Sequence, residues 1–319
     1  MLTDIINQIN EKPPTILVVG DLMLDRFIFG SVDRISPEAP VPIVKLKKEE
    51  QMLGGSGNVI RNLSNLGIQT SLCSVVGQDS AGDLLIDQLK EKDIQISNVL
   101  RLNSIRTTEK MRIVADRQQI VRVDWDMDEF KADFVDDLIK NISEHIENID
   151  GVIISDYAKG VCSKVLLKKV IKISNNNNIP IFVDPKGLDW GKYEHTNLIT
   201  PNIEEAETVL GKKLVNNQDF EKAGEKICST FNIEACLITR GADGMSFFCK
   251  NNIFHLKSNA KEIFDVSGAG DTVISAMATG LIMDLSYKEA AEFSNQAAGI
   301  VVGHIGTTAI TTQELLNLN

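Results

Sequence analysis

The chain has 319 residues, 43% of them hydrophobic, and can bury a large core in one α/β domain or two smaller ones. Its formal net charge of −11 repels polyanions, and no basic stripe is present, so we expect no nucleic-acid partner. The apolar runs are too short to span a bilayer, and the five cysteines lie at irregular spacings. The amino-terminal residues lack the basic start and apolar core of a signal peptide. We therefore expect a cytoplasmic protein with no membrane partner.

Short β-branched runs alternate with helical patterns along most of the chain. Nearly continuous apolar strands separated by helices are typical of a parallel sheet covered on both faces. The pattern predicts an α/β fold with a doubly wound, mainly parallel sheet flanked by helices. The predicted strands begin at residues 15, 70, 151, 179, 197 and 235.

Two segments, 28–52 and 105–125, interrupt this pattern. Their alternation and prolines suit exposed antiparallel strands, and neither shows a helical period. We predict that they form a small β-lid inserted in a single domain covering residues 1–319. The alternative is a pair of long surface loops.

Four predicted strands are followed directly by polar motifs. These are DYAKG after residue 155, DPKG after 183, PNIEE after 200 and RGADG after 239. Open parallel sheets bind their ligands at the carboxyl ends of the strands. The motifs together therefore predict one ligand cleft at this edge, although each motif taken alone is better explained as an ordinary solvated loop.

The stretch DVSGAGDT, residues 265–272, joins glycines to a carboxylate ahead of an apolar segment that we predict to be a helix over 272–285. Gly268, Ala269 and Gly270 would bring free backbone N–H groups to an anion at the helix amino terminus. The pattern fits neither the dinucleotide fingerprint nor the P-loop. A carboxylate beside an anion site needs a separate task, and accepting a proton from an attacking hydroxyl is one. Asp271 is thus a candidate catalytic base; the alternative is a helix N-cap.

A second glycine-rich site combines GDLMLDR, residues 20–26, with GGSGN, residues 54–58. It brings the carboxylates of Asp21 and Asp25 and the amide of Asn58 near backbone donors. Sugar hydroxyls require such groups because each hydroxyl both donates and accepts a hydrogen bond. One site for a polyol and one for a phosphoryl group together indicate a kinase.

These motifs, with NIEE and TRGADG, occur in the order and spacing of the ribokinase or PfkB-type sugar kinases, and the chain resembles that family over nearly its whole length. The resemblance implies a ribokinase-like fold, ATP and Mg²⁺ as cofactors, and a sugar acceptor. Within the family, the long first motif with SDYAKG, DPKG and TPN looks like the kinases of D-glycero-β-D-manno-heptose 7-phosphate. That likeness implies transfer of the ATP γ-phosphate to the anomeric C1 hydroxyl, on the route to the lipopolysaccharide inner-core precursor.

The resemblance also implies roles for individual residues. Asp271 matches the catalytic base, with Gly268, Ala269 and Gly270 as its anion hole. The sugar-binding positions are Asp21, Asp25, Gly54, Gly55 and Asn58. Glu205, with Asn202 in the N-x-x-E element, would help to place Mg²⁺. The nucleotide-binding positions are Asn202, Thr239, Arg240, Gly241, Gly244 and Asn295.

An acceptor that already carries a phosphate needs Lys or Arg donors to hold it. The candidates are Lys159, Lys186, Arg26 and Arg122, with Arg34 and Arg106 less well placed, and ordinary solvated charge is the alternative for each. Two positions depart from the family: Ser267 replaces a commoner threonine, and His304 stands where lysine is expected. The lid strands of this fold usually pair edge to edge, which implies a homodimer. The rival functions are a kinase of another sugar or of a nucleoside, and a non-catalytic sugar-phosphate sensor.

Overall fold

The computed structural model describes residues 2–116, 118–126, 134–260, 265–304, 306 and 308–317. Arg117, in the second predicted lid segment, lies outside this part of the chain. The strands are β1 (Thr15–Gly20), β2 (Leu22–Ile35), β3 (Pro42–Gly55), β4 (Gln69–Gly77), β5 (Val99–Leu102), β6 (Glu109–Ala115), β7 (Gln118–Trp125), β8 (Gly151–Ser155), β9 (Ile181–Asp184), β10 (Leu198–Ile199), β11 (Ala235–Thr239), β12 (Met245–Cys249) and β13 (Asn252–Leu256). The helices are α1 (Leu2–Glu11), α2 (Ser56–Asn65), α3 (Ser80–Glu91), α4 (Val135–His145), α5 (Lys164–Asn176), α6 (Ile203–Leu210), α7 (Asn217–Phe231), α8 (Ala269–Ile282), α9 (Tyr287–Val301) and α10 (Thr312–Leu316).

A nine-stranded sheet forms the centre of the molecule, in the order β13-β12-β11-β10-β9-β8-β1-β4-β5. The strands from β5 to β11 in this order are parallel, whereas β12 and β13 are antiparallel. The predicted doubly wound α/β sheet is therefore confirmed, and all six predicted strands are present. The β12–β13 hairpin at one edge was not predicted.

The sheet separates two hydrophobic layers because successive side chains of a strand point to opposite faces. In β1, Ile16 and Val18 belong to one buried cluster, whereas Leu17 and Val19 belong to the other. Helices α2, α8 and α9 cover the first face, and α4, α5 and α7 cover the second. Burial on both faces explains why the strands read as continuous apolar runs.

A second, four-stranded sheet has the order β3-β2-β6-β7 and contains the two segments predicted as a lid. The pairs β2–β3 and β6–β7 are antiparallel, as expected, but β2 and β6 are parallel. In this register Asp25 lies beside Lys110, and Phe27 lies beside Arg112. One face of the small sheet therefore carries Asp25, Lys110 and Arg112 together.

Helix α8 begins at Ala269, three residues before the predicted start, and ends at Ile282. The earlier start follows from Gly268, whose φ of 80° is a left-handed conformation that glycine adopts without steric cost. No helix within the described ranges is both long and apolar enough to cross a membrane.

Candidate active site

Asp271 lies in the first turn of α8, and both oxygens of its carboxylate accept hydrogen bonds from side chains. Asn58 donates to Oδ2 over 2.8 Å, and the Tyr157 hydroxyl donates to Oδ1 over 2.7 Å. The three residues come from α8, from α2 and from the loop after β8. The residue is only 3% exposed. It is held in one orientation at the point where the large and small sheets meet.

Burial raises the pKa of Asp271 to about 6, against the lowering effect of the hydrogen bonds from Asn58 and Tyr157. A carboxyl group with this pKa is ionised at neutral pH yet basic enough to accept a proton. The N-cap alternative is wrong, because Gly268 caps α8 and no side chain makes a capping hydrogen bond there.

The amino terminus of α8 offers free backbone donors beside Asp271. The Ala269 N–H is bonded to Val266 O at 3.2 Å, whereas the N–H groups of Gly270 and Asp271 have no acceptor within the described part of the chain. Such donors, with the positive end of the helix dipole, form a site for an anion. The arrangement is consistent with the predicted anion hole, which remains a prediction.

Asp21 follows β1 and organises the loop after β8. Its carboxylate accepts the N–H groups of Tyr157 at 2.8 Å, Lys159 at 3.1 Å and Val161 at 2.9 Å. Burial and the neighbouring charge of Asp156 raise the pKa of Asp21 to about 6, against the lowering effect of the three amides. The predicted sugar contact would have to share these oxygens, so the observed role of Asp21 is to clamp the loop.

Asp25 lies on the small sheet against the site. The Arg112 guanidinium forms an ion pair with its Oδ1 at 2.6 Å. Its Oδ2 lies so close to Gly54 that a Cβ atom at residue 54 would be 2.3 Å from it. Residue 54 must therefore be glycine for Asp25 to take this position. Gly55, which precedes α2, lies against the backbone carbonyl oxygen of Asp21, whereas Asn58 donates to Asp271.

Lys110 is a cation of the site that the sequence interpretation did not select. Its ammonium lies 5.4 Å from the centre of the Tyr157 ring and makes no ion pair with any described residue. Burial lowers the pKa of Lys110, Asp25 raises it, and Lys159 and Arg112 lower it. The alternation in the sequence EKMRIV places Lys110 and Arg112 two residues apart, and this was the available signal.

The cations that were predicted lie elsewhere or are already paired. Arg26 is on the opposite face of the small sheet from Asp25, where it pairs with Glu49 at 2.6 Å and Glu109 at 3.2 Å. Its predicted contact with the acceptor is therefore not supported. The other predicted cations are Arg122, paired with Asp124; Lys159, paired with Asp126; Arg106, over the Trp125 ring; and Arg34, near the far end of β2 beside Ile43.

A cleft of about 560 Å³ opens at the carboxyl ends of the parallel strands. It is lined by all the residues predicted for the nucleotide and the metal, by two residues of the anion loop, and by Lys186. The convergence of strand-end motifs on one cleft is thus observed. Among these residues, Asn295 donates a hydrogen bond to Lys257 O over 2.7 Å. The Arg240 guanidinium lies 4.5 Å from the centre of the Phe220 ring. The residues predicted for the nucleotide, the metal and the anion loop that line the cleft are Asn202, Glu205, Thr239, Arg240, Gly241, Gly244, Ala269, Gly270 and Asn295.

Asn202 and Glu205 form a capping box at the start of α6, each side chain bonding the backbone N–H of the other. The second oxygen of Glu205 pairs with Lys186 at 2.6 Å. Asp184, which the sequence interpretation did not select, lies on the same wall facing Gly270. Burial raises the pKa of Asp184 well above its usual range, and the charges of Asp271 and Glu205 raise it further. Lys186 already balances the charge of Glu205, whereas Asp184 has no ion pair with any described residue.

A second group of possible metal ligands comprises Asp21, Asp156 and Cys162, whose ligand atoms lie within 4.8 Å of one another. Asp156 accepts hydrogen bonds from Ala158 N at 2.7 Å and from the Tyr193 hydroxyl at 2.7 Å, and it pairs with Lys192. Burial also raises the pKa of the Cys162 thiol well above its usual range. Because an ammonium already balances the buried charge, this cluster is structural.

Lys186 was predicted to hold the phosphate of the acceptor, but it lies in the cleft with the nucleotide-side residues. We expect Lys186→Ala to raise the Kd for ATP about tenfold to a hundredfold, because a charge-assisted contact is worth about 1.5–3 kcal/mol, and to leave the KM of the acceptor nearly unchanged. Calorimetric titration with ATP measures the first effect. Lys213→Ala, which removes a Lys–Glu pair with Glu207 outside the cleft, is the control. A rise confined to the acceptor KM would restore the original prediction.

Comparison of the sequence with known proteins identifies a family to which the chain is similar. The model of the pfkB family carbohydrate kinases matches residues 14–314. The chain is 43% identical over 301 residues to the bifunctional protein HldE of Helicobacter pylori strain J99, covering 94% of this chain but 65% of that relative. The chain thus spans about two thirds of the length of that protein.

Solved structures support the same fold. The structure of Arabidopsis thaliana ribokinase complexed with ribose and ATP superposes with a TM-score of 0.75 at 20% identity, over 96% of this chain and 98% of that one. Phosphofructokinase-2 from Escherichia coli in complex with potassium gives 0.80 at 19% identity, over 96% and 97%. The match over residues 14–314 shows that the chain belongs to the pfkB family of carbohydrate kinases, with a ribokinase-like fold.

Proposed function

We propose that the protein transfers the γ-phosphate of ATP to the anomeric C1 hydroxyl of D-glycero-β-D-manno-heptose 7-phosphate, giving the 1,7-bisphosphate. This step would serve the synthesis of ADP-heptose for the lipopolysaccharide inner core. Similarity to HldE supports the sugar. The observation that carries the proposal is that one site holds both a buried, oriented carboxylate, Asp271, and a cation, Lys110, that makes no ion pair with any described residue.

The chemistry follows from where the groups lie. Asp271 takes the proton of the acceptor hydroxyl as the oxygen attacks the γ-phosphorus. The N–H groups of Gly270 and Asp271 stabilise the charge that develops on the transferring phosphoryl group. ADP leaves along the cleft, and the proton remains on Asp271 until solvent takes it.

The residues of the cleft also fit Mg²⁺ and ATP. Carboxylate oxygens are the ligands that Mg²⁺ prefers, and Glu205 would hold the ion, directly or through water, while Asp184 adds negative charge to the same wall. Mg²⁺ would neutralise charge on the nucleotide phosphates. The nucleotide would lie along Thr239, Gly241 and Asn295.

The proposed acceptor carries a phosphate, and we assign the binding of that phosphate to Lys110 because its ammonium makes no ion pair with a described residue. We expect Lys110→Ala to raise the KM for heptose 7-phosphate about tenfold to a hundredfold, through loss of a charge-assisted contact. Steady-state kinetics with each substrate varied in turn would show this, with the KM of ATP little changed. Lys47→Ala, an exposed lysine of the same sheet, is the control. An unchanged acceptor KM would remove Lys110 from the phosphate site.

The proposed function is tested by offering a panel of sugars, sugar phosphates and nucleosides with ATP and Mg²⁺. ADP release gives the rate, and phosphorus NMR gives the position of the new phosphate. Heptose 7-phosphate should be turned over fastest and acquire a phosphate at C1. Faster turnover of ribose, fructose or adenosine would contradict the proposal, and no ADP release with any of them would indicate a sensor.

We further propose that the protein works as a cytoplasmic homodimer formed through the small sheet. The face of this sheet opposite to Lys110 and Arg112 carries Val121 and Val123, which are exposed. Exposed apolar side chains on one sheet face suit a partner surface. Sedimentation velocity would give the mass of the assembly, and a monomer at micromolar concentration would contradict the dimer.

A further inference from the structure

Tyr157 connects the cleft to Asp271. Its hydroxyl donates to Oδ1 of Asp271 over 2.7 Å, and the residue is one of those that line the cleft. Its backbone N–H is held by Asp21 over 2.8 Å. The side chain and the main chain of Tyr157 are therefore fixed by two different carboxylates.

The two hydrogen bonds to Asp271 come from separate parts of the fold. Asn58 lies in α2, packed against α8, whereas Tyr157 lies in the loop after β8. Together they fix both the direction and the plane of the carboxylate. Burial raises the pKa of Tyr157 well above its usual range, and Asp271 raises it further, so the phenol remains protonated and acts as the donor.

We propose that Tyr157 is a positioning residue for phosphoryl transfer. Its hydroxyl holds the carboxylate of Asp271 in the orientation in which that group accepts the proton of the acceptor. The inference rests on the proposed function, in which Asp271 is the base. An oriented base contributes only while its oxygen is aligned with the attacking hydroxyl, so loss of the phenol affects the chemical step rather than substrate binding.

The ionisation of Asp271 responds to charges on four other elements. Asp25 on β2 and Asp184 on β9 oppose its ionisation, whereas Lys110 on β6 and Arg61 on α2 favour it. Removing the Tyr157 hydroxyl leaves these four groups in place. A change in the pH profile of the Phe variant is therefore attributable to the phenol.

The experiment compares Tyr157→Phe with wild type, using an acceptor that wild type phosphorylates. We expect kcat to fall about tenfold, with little change in either KM. We also expect the acid limb of the kcat profile to move to higher pH, because a donor to the ionised carboxylate lowers its pKa. Tyr287→Phe is the matched control, since that hydroxyl donates to Glu234 over 2.8 Å outside the cleft.

A fluorinated tyrosine at position 157 provides the converse test. Its phenol is a stronger donor, so the acid limb should move to lower pH, opposite to the shift in the Phe variant. An unchanged acid limb in both variants, or a loss confined to ATP affinity, would overturn the inference. The turnover of wild type in the same assay tests the proposed function separately, because the inference depends only on variant-to-wild-type ratios.

Discussion

Asp271→Asn should lower kcat by about 10² to 10⁴, the usual contribution of a positioned general base, while the KM values of both substrates change much less. Asparagine has nearly the same size and keeps a hydrogen-bond acceptor for Asn58 or Tyr157, but it cannot accept the proton of the attacking hydroxyl. Single-turnover kinetics would localise the loss to the chemical step. Asp137→Asn, an exposed residue of α4, is the control for the chemical change alone.

The same variant should be at least as stable as wild type at neutral pH. Below the ordinary pKa of 3.8, Asp271 is protonated in both the folded and unfolded states and contributes nothing; as pH rises to about 6, the unfolded state loses its proton first. Above that pH, burial of the charge costs roughly 3 kcal/mol, and asparagine removes this cost. Denaturant unfolding at pH 4 and pH 7.5 should show a relative gain only at the higher pH. Near wild-type turnover would exclude Asp271 as the base.

Asp21→Ala should destabilise the fold strongly, in contrast to Asp271→Asn. It leaves the buried N–H of Val161 and the partly buried N–H groups of Tyr157 and Lys159 without this acceptor, at up to about 1–3 kcal/mol each, while relieving the cost of burying one charge. We expect the free energy of unfolding to fall by about 2–5 kcal/mol. Because the displaced loop carries Tyr157, kcat should fall as well.

Asp21→Asn separates this clamp from the sugar contact predicted from the sequence. Asparagine keeps one acceptor oxygen, so it should lose less stability than alanine. Urea unfolding of both variants, beside their acceptor KM values, distinguishes the two roles. A raised acceptor KM at unchanged stability would show that Asp21 acts on the sugar and not on the loop.

The central sheet was predictable from the sequence because burial on both faces makes each strand a continuous apolar run. The β12–β13 hairpin was missed because the run from Met245 to Leu256 lacks the helix that separates the other strands. The start of α8 was placed three residues late because Gly268 lies in a left-handed conformation that a sequence pattern does not reveal.

The candidate site was predictable where residues follow strands or glycines, as with Asp271, Asn58 and the cleft residues. The cations of the site were less predictable, because the sheet face to which a strand residue points depends on the register of that strand with its neighbour. Lys110 and Arg112 were missed, and Arg26 was chosen, for this reason. Tyr157 was missed because its contact with Asp271 is set by the path of a loop.

The hydrogen bond between Asn58 and Asp271 joins residues 213 positions apart in the chain. Contacts of such long range form late in folding, because a large loop must close before they contribute. During synthesis Asp271 is among the last parts of the site to emerge, when the strands that carry the cleft have already been made. A growing chain has therefore made every strand of the central sheet before it has a base with which to transfer a phosphate, and the helices that complete one face of the core arrive with that base.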